Sequence, residues 1–242
     1  QMCIRDSHMG EGYGFSARAV WRPINTDQTT VHFGFSAVAR TPERVTSDDG
    51  IVAVGGRSGS VVENRKFIAG GFSGIDHYTI CDLEAAYRDD RFFVQGEALC
   101  STFATKERPG VITNGEKTYN IDGSESVSFW GGYLVGSYML RGKQRSYSNS
   151  GAVFSNVNNE VEPGGNVELM IGASAIDTQG YMGQAYEALG AVNWYPNTAM
   201  MLGLSYTFTS FSKDAVALGR LRSNSGDGLS YRTLQLRAQF VF

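Results

Sequence analysis

Arginine is the side chain in this sequence best suited to chemistry with a solute. Arg18 and Arg22 stand four residues apart in a stretch where polar and apolar residues alternate. Arg40 and Arg237 hold the same polar phase in two similar stretches, and a basic run, Arg141, Lys143 and Arg145, marks a polar segment. A guanidinium is a planar fork that grips phosphate oxygens two at a time, so arginines along one face of a wall would gather and pass anions. The plainer role for each is a wall charge balanced by a nearby carboxylate. Both readings stay open on sequence alone.

Glu84 and Glu97 flank a turn, and a hairpin closing at Asp90 and Arg91 sets them directly opposite each other on one face. Facing like charges are destabilising, so this pair needs a cation, a shared proton or water. Such a pair can serve as general acid and base or as half of a calcium site, but no supporting ligands accompany it. Neutralisation by neighbouring arginines is the simpler expectation. The same register sets Cys81 opposite Cys100 on the other face, as small apolar wall residues or, in an oxidising compartment, a cross-strand disulfide. Ser47-Asp48-Asp49-Gly50 has adjacent rather than alternating carboxylates and no closing Glu, so a surface loop is expected there, not a calcium loop. His8, His32 and His77 have no Ser or Asp partner at motif spacing, and Cys3, Cys81 and Cys100 form no CxxC pair or zinc set. Neither catalytic residues nor a metal or cofactor is expected.

Composition narrows the class. A net charge of −3 with no basic stripe argues against nucleic acid as a partner. Hydrophobic residues at 42% are too many for a disordered chain. No apolar run approaches the roughly 20 residues of a spanning helix, which excludes a helical membrane protein.

Period-two alternation over segments of roughly ten residues is the dominant pattern, and it is the signature of strands that cross a membrane. From Thr233 to Phe242, Leu234, Leu236, Ala238, Phe240 and Phe242 share one face, while Thr233, Gln235, Arg237, Gln239 and Val241 share the other. Segments 13–22 and 31–40 alternate similarly, and 78–88, 92–105, 126–140, 166–176, 186–195 and 198–210 complete nine expected strands. A soluble sandwich alternates too, but its apolar face is a Val, Ile and Leu core. Here aromatics collect at strand ends on that face, as Trp21, Tyr87, Phe92, Trp194, Tyr206, Phe208 and Phe242, in the manner of interfacial girdles. Short connections after Pro23, Arg88 and Tyr195 alternate with long polar loops at 42–76, 106–124 and 211–229. Barrels of bacterial outer membranes keep short turns in the periplasm, which also places the irregular connection 141–165 there. By parity, Arg18, Arg22, Arg40, Arg237, Glu84 and Glu97 then line a pore, with Arg141, Lys143 and Arg145 at its periplasmic mouth.

The expected fold class is therefore all-β, a transmembrane antiparallel β-barrel. Single-chain bacterial barrels have even strand numbers, so nine strands imply a larger barrel of which a part is absent. Residues 1–9 are expected to be a non-native or disordered remnant, because Met2-Cys3-Ile4-Arg5-Asp6-Ser7 reads like translated adapter sequence and Ser7-His8-Met9 like a tag scar. Residues 10–242 are expected to be the C-terminal part of one porin barrel domain.

Several stretches resemble the phosphate-selective porin O and P family. Leu189-Gly190-Ala191-Val192-Asn193-Trp194-Tyr195-Pro196-Asn197 is similar to its penultimate hairpin, and Leu234-Gln235-Leu236-Arg237-Ala238-Gln239-Phe240 to its terminal strand. Arg145-Ser146-Tyr147 with Gly151-Ala152-Val153-Phe154 is a looser match, and Asp82-Leu83-Glu84-Ala85 with Gln95-Gly96-Glu97 matches a Glu-bearing hairpin. The resemblance implies a homotrimeric channel of about sixteen strands in the bacterial outer membrane, in contact with its lipid, passing phosphate, polyphosphate or other inorganic anions by diffusion. It implies no enzyme. A non-selective or structural outer-membrane barrel, or a translocator β-domain, is the alternative.

Overall fold

A computed structural model of the chain describes residues 12–42, 52–57, 66–105, 110–114, 117–121, 126–157, 160–213, 215 and 229–241. Cys3, His8, the stretch 1–9, Ser47-Asp48-Asp49-Gly50 and Phe242 lie outside the described residues. In chain order the strands are β1 (Gly14–Asn25), β2 (Thr30–Arg40), β3 (Val52–Arg57), β4 (Lys66–Ser73), β5 (Ile75–Arg88), β6 (Phe92–Thr105), β7 (Gly110–Asn114) and β8 (Lys117–Ile121). They continue as β9 (Ser126–Arg141), β10 (Tyr147–Ser148), β11 (Val153–Phe154), β12 (Asn166–Asp177), β13 (Gln184–Asn197), β14 (Met200–Phe211) and β15 (Leu229–Phe240).

Nine of them form one antiparallel sheet in the order β1-β2-β5-β6-β9-β12-β13-β14-β15, and they are the nine expected from the alternation. The fold is all-β, and its main sheet is open, with β1 and β15 as edges that pair with no further strand among the described residues. Two connections expected to be polar loops carry a second sheet, β3-β4-β7-β8. Its strands are five to eight residues long, too short to show the long alternation that marks the others. Two strands also outrun the prolines expected to end them: β1 passes Pro23 and β13 passes Pro196. In each case the register shifts at that point, between Trp21 and Ile24 and between Trp194 and Asn197. Proline is tolerated in a strand at such a bulge, where no ladder N–H is required.

Register explains why the faces stay separate. Val31, Tyr87, Val94, Gly136, Ile171, Gly190, Tyr206 and Leu234 are successive partners across eight strands. A slip of one residue anywhere would exchange the two faces. Large side chains of this face stand open, with Leu236 80% and Ile171 72% exposed. A water-soluble sandwich would bury them, whereas hydrocarbon accepts them. Aromatics ring both ends of this face: Trp21, Tyr87, Phe92, Tyr138 and Trp194 near the short turns, and Phe15, Trp130, Tyr186 and Phe208 towards the other end. No helix among the described residues is long and apolar enough to cross a membrane.

The short turns 26–29, 89–91 and 198–199 gather at one end. At 89–91 the Asp89 carboxylate accepts the backbone N–H of Phe92 at 2.8 Å and of Arg91 at 3.0 Å, and the first of these in particular holds its pKa below the usual carboxylate range. A depressed pKa stabilises above the unfolded value and is lost as pH falls through the folded one. We expect Asp89→Ala to cost about 1 kcal/mol near neutrality. The gap to the parent should shrink below about pH 4 in denaturant titrations of the membrane-inserted protein.

The opposite face is not uniformly polar, as simple alternation would have it. Ile68, Ile75, Phe103, Val127, Phe129 and Met182 form a buried cluster on it at the end of the long connections, with Tyr78 and Tyr181 packed alongside. Connection 178–183 at that end is short and supplies Met182, which is fully buried. That end of the face is thereby closed to charged chemistry.

Candidate functional site

The middle of the polar face is a row of consecutive partners: Gly34, Glu84, Glu97, Tyr133, Ser174, Glu187 and Thr209. Glu84 and Glu97 do face each other across β5 and β6, as do Cys81 and Cys100 on the other face, where both thiols are free. The two carboxylates avoid repulsion by turning apart. Glu84 Oε1 accepts Arg18 Nη2 at 2.5 Å and Nε at 3.2 Å, and His32 Nε2 lies 3.0 Å away. Glu97 turns the other way, taking the Tyr133 hydroxyl at 2.6 Å and the Gln95 amide at 3.1 Å. Arginine therefore answers one carboxylate, and a phenol and an amide answer the other. Asp82, beside them, has a buried Oδ1 with no hydrogen-bond donor among the described residues.

Gly34 makes the Glu84 geometry possible. Arg18 is on β1 and Glu84 on β5, so the carboxylate must cross β2 to reach it, and it does so directly over Gly34. A Cβ at this position would collide with the Glu84 carboxyl group. We expect Gly34→Ala to destabilise the inserted protein by about 1–3 kcal/mol through overpacking, read by chemical denaturation. Glycine in a strand was legible as a site of close packing, but its partner was not.

Over the Glu84 and Glu97 part of this row lies a stretch of the connection between β9 and β12. This connection leaves β9 at Gly142, whose φ of +90° and contact with the Asn166 side chain leave no room for a Cβ. It starts at the end of the short turns, where it was expected, and then folds back onto the polar face. Its two-stranded hairpin, β10 with β11, sits against the wall. His32, 4% exposed, receives the Tyr147 hydroxyl on Nδ1 at 2.8 Å. That assignment follows from Nε2–H pointing at the carboxylate, and burial raises the Tyr147 pKa and keeps the phenol a donor. Arg22 donates to Asn149 Oδ1 at 2.8 Å and lies over the Tyr147 ring, while Asn25 donates to the same oxygen. Phe154 packs edge-on against Phe93.

A second charged cluster anchors the root of this segment. Glu168 on β12 is fully buried and accepts Arg145 Nη2 at 2.7 Å, the Tyr195 hydroxyl at 2.8 Å and Asn193 Nδ2 at 3.1 Å. The Arg145 guanidinium also lies 4.4 Å over the Phe93 ring. Sequence reasoning missed Glu168. Its signal was a single carboxylate on the polar phase of the apolar run Val167-Glu168-Leu169-Met170. Of the basic run, Arg141 pairs with Glu162 at 3.9 Å and donates to the Pro163 carbonyl, and Lys143 is exposed beside a cavity that includes Asp27, Asp90 and Glu160. Arg237 on β15 donates to Gln239, and Arg40 ends β2 at the side of the long connections. No group of His, Cys, Asp and Glu among the described residues could hold a metal ion.

An antiparallel sheet with an exposed, aromatic-girdled apolar face and a polar face carrying paired charges and an inward-folded segment is consistent with the wall of a porin-type β-barrel. The sequence model of the family described as phosphate-selective porin O and P matches residues 5–242. The chain belongs to that family, whose members are channels rather than enzymes. No curated protein matches the chain.

Proposed function

We propose that the polar face of this sheet lines a passive outer-membrane channel for anionic solutes of the phosphate and polyphosphate class. One observation supports the reading beyond the family: Arg22 and Arg237 on the polar face have the neutral amides of Asn149 and Gln239 as their hydrogen-bond acceptors. Their charge remains available to a passing anion, in a cleft whose low-dielectric walls focus the field. Arg18 and Arg145 are already matched by carboxylates. Glu97 and Asp82 act against the preference, which makes it a modest one. A non-selective barrel is the second reading, and those two carboxylates are what favour it.

The two free sheet edges bear on assembly. Hydrocarbon tolerates no unpaired strand edge, and we propose on that ground that this sheet forms one part of a larger closed barrel. We propose a homotrimer of such barrels held in outer-membrane lipid. The test is conductance of the full-length protein, with its barrel closed, in a planar bilayer under a salt gradient, with chloride then replaced by phosphate. Anion selectivity that falls in Arg22→Gln supports the proposal. Cation selectivity sinks it while leaving the porin itself intact.

A further inference from the structure

Between the folded-back segment and the wall lies a cavity of about 230 Å³, bordered by Arg18, His32, Glu84, Glu97, Arg145 and Phe154. The segment is fastened at two points on its rim, and both fastenings pass through one atom. Tyr147 is tied to His32, and His32 to Glu84 Oε1. Arg18, held by that same oxygen, reaches the Ala152 carbonyl at 3.5 Å. We propose that Glu84 is a positioning residue, whose carboxylate latches residues 147–154 against the pore wall and so sets the open cross-section of the channel.

The proposal rests on the channel reading and extends it to a device within the pore. Three adjacent strands contribute to the latch: Arg18 from β1, His32 from β2 and Glu84 from β5. The Glu84 side chain is only 12% exposed, so its two partners compete little with water. Without it, Arg18 and His32 lose their common acceptor, and neither remains oriented towards the segment. Arg22 and Asn25, both bound to Asn149 Oδ1, would be the nearest remaining ties. They meet it at an exposed loop tip, where hydrogen bonds to water compete.

Conductance alone would confuse a wider pore with a changed wall charge, so the cross-section is read by exclusion of neutral polyethylene glycols of graded size from single channels of the full-length, closed barrel. Glu84→Ala removes the acceptor that orients both fastenings, and Tyr147→Phe removes one fastening while leaving every charge and ring in place. Glu84→Gln removes the charge but keeps an oxygen acceptor. We expect Glu84→Ala and Tyr147→Phe to admit larger polymers, with a rise of about 1.5-fold or more in open-channel conductance. Glu84→Gln should keep the parental polymer cut-off while shifting the reversal potential towards anions. If the cut-off is the same in all three variants and the parent, the latch is overturned and the channel reading survives. A parent that does not conduct overturns both. Tyr147→Phe is nearly isosteric and keeps this decision clear of any folding defect in Glu84→Ala.

Discussion

Leu236→Arg is expected to destabilise the membrane-inserted protein by about 2–4 kcal/mol. Gln235→Arg, one residue earlier, should change stability by less than about 1 kcal/mol. Both positions lie in the middle of β15, and the chemistry of the substitution is the same. What differs is the face. Leu236 pairs with Leu204 on the apolar side and is 80% exposed, so an arginine there must shed its hydration into hydrocarbon or drag water and headgroups inward. Gln235 pairs with Ser205 on the polar side, where a charge meets water. Guanidinium titration of the full-length protein, its barrel closed in phosphatidylcholine vesicles, gives both numbers. Equal costs for the two would mean that the faces have been assigned wrongly, and the assignments of Arg18, Arg22, Glu84 and Glu97 to the pore would fall with them.

The second large effect belongs to Arg145. Glu168 is fully buried, and Arg145 is its cationic partner at 2.7 Å. Arg145→Met leaves a buried carboxylate served by Tyr195 and Asn193 alone, and removal of one partner of such a pair typically costs about 3–5 kcal/mol. The stem of methionine still packs on Phe93, so the loss is electrostatic rather than a cavity. Adding Glu168→Gln to Arg145→Met removes the orphaned charge and should restore most of the stability. A double-mutant cycle in the same vesicle titration measures the coupling. If the single and double variants prove equally unstable, Arg145 contributes by packing and not by charge.

The strands and their faces were legible in the sequence because the membrane admits few alternatives. Hydrocarbon demands an apolar residue at every second position for the full thickness of the bilayer, and nine segments comply. The three-residue turn at 89–91 fixed the β5–β6 register, and with it the pairs Glu84 with Glu97 and Cys81 with Cys100. The inward fold of residues 147–154 was not legible. Its ties join residues more than a hundred positions apart, His32 with Tyr147 and Arg22 with Asn149, and its Ser, Asn and Gly residues read as any loop would. The apolar island at the other end of the polar face was hidden differently. Phe103, Val127 and Phe129 sit on the polar phase at strand ends, where alternation has already weakened. Glu84 was recognised as a wall carboxylate, but the empty space over Gly34 that sends it towards Arg18 belongs to a neighbouring strand, not to any local pattern.

The order of the main sheet has a consequence for assembly kinetics. Every strand in it pairs with its nearest predecessor and successor among the nine, in a meander without a crossover. Loop closure between successive partners is therefore short-range, with the longest detours at 41–74 and 142–165, and the entropic cost of a longer detour grows only slowly with length. Such a sheet can grow one strand at a time from any hairpin. At every stage before closure it presents a bare row of N–H and C=O groups, which will pair with any other extended chain at hand. Growth by addition thus carries an aggregation hazard that lasts as long as the growth itself, and the rate of the slowest strand addition decides how long the nascent sheet needs a protected edge.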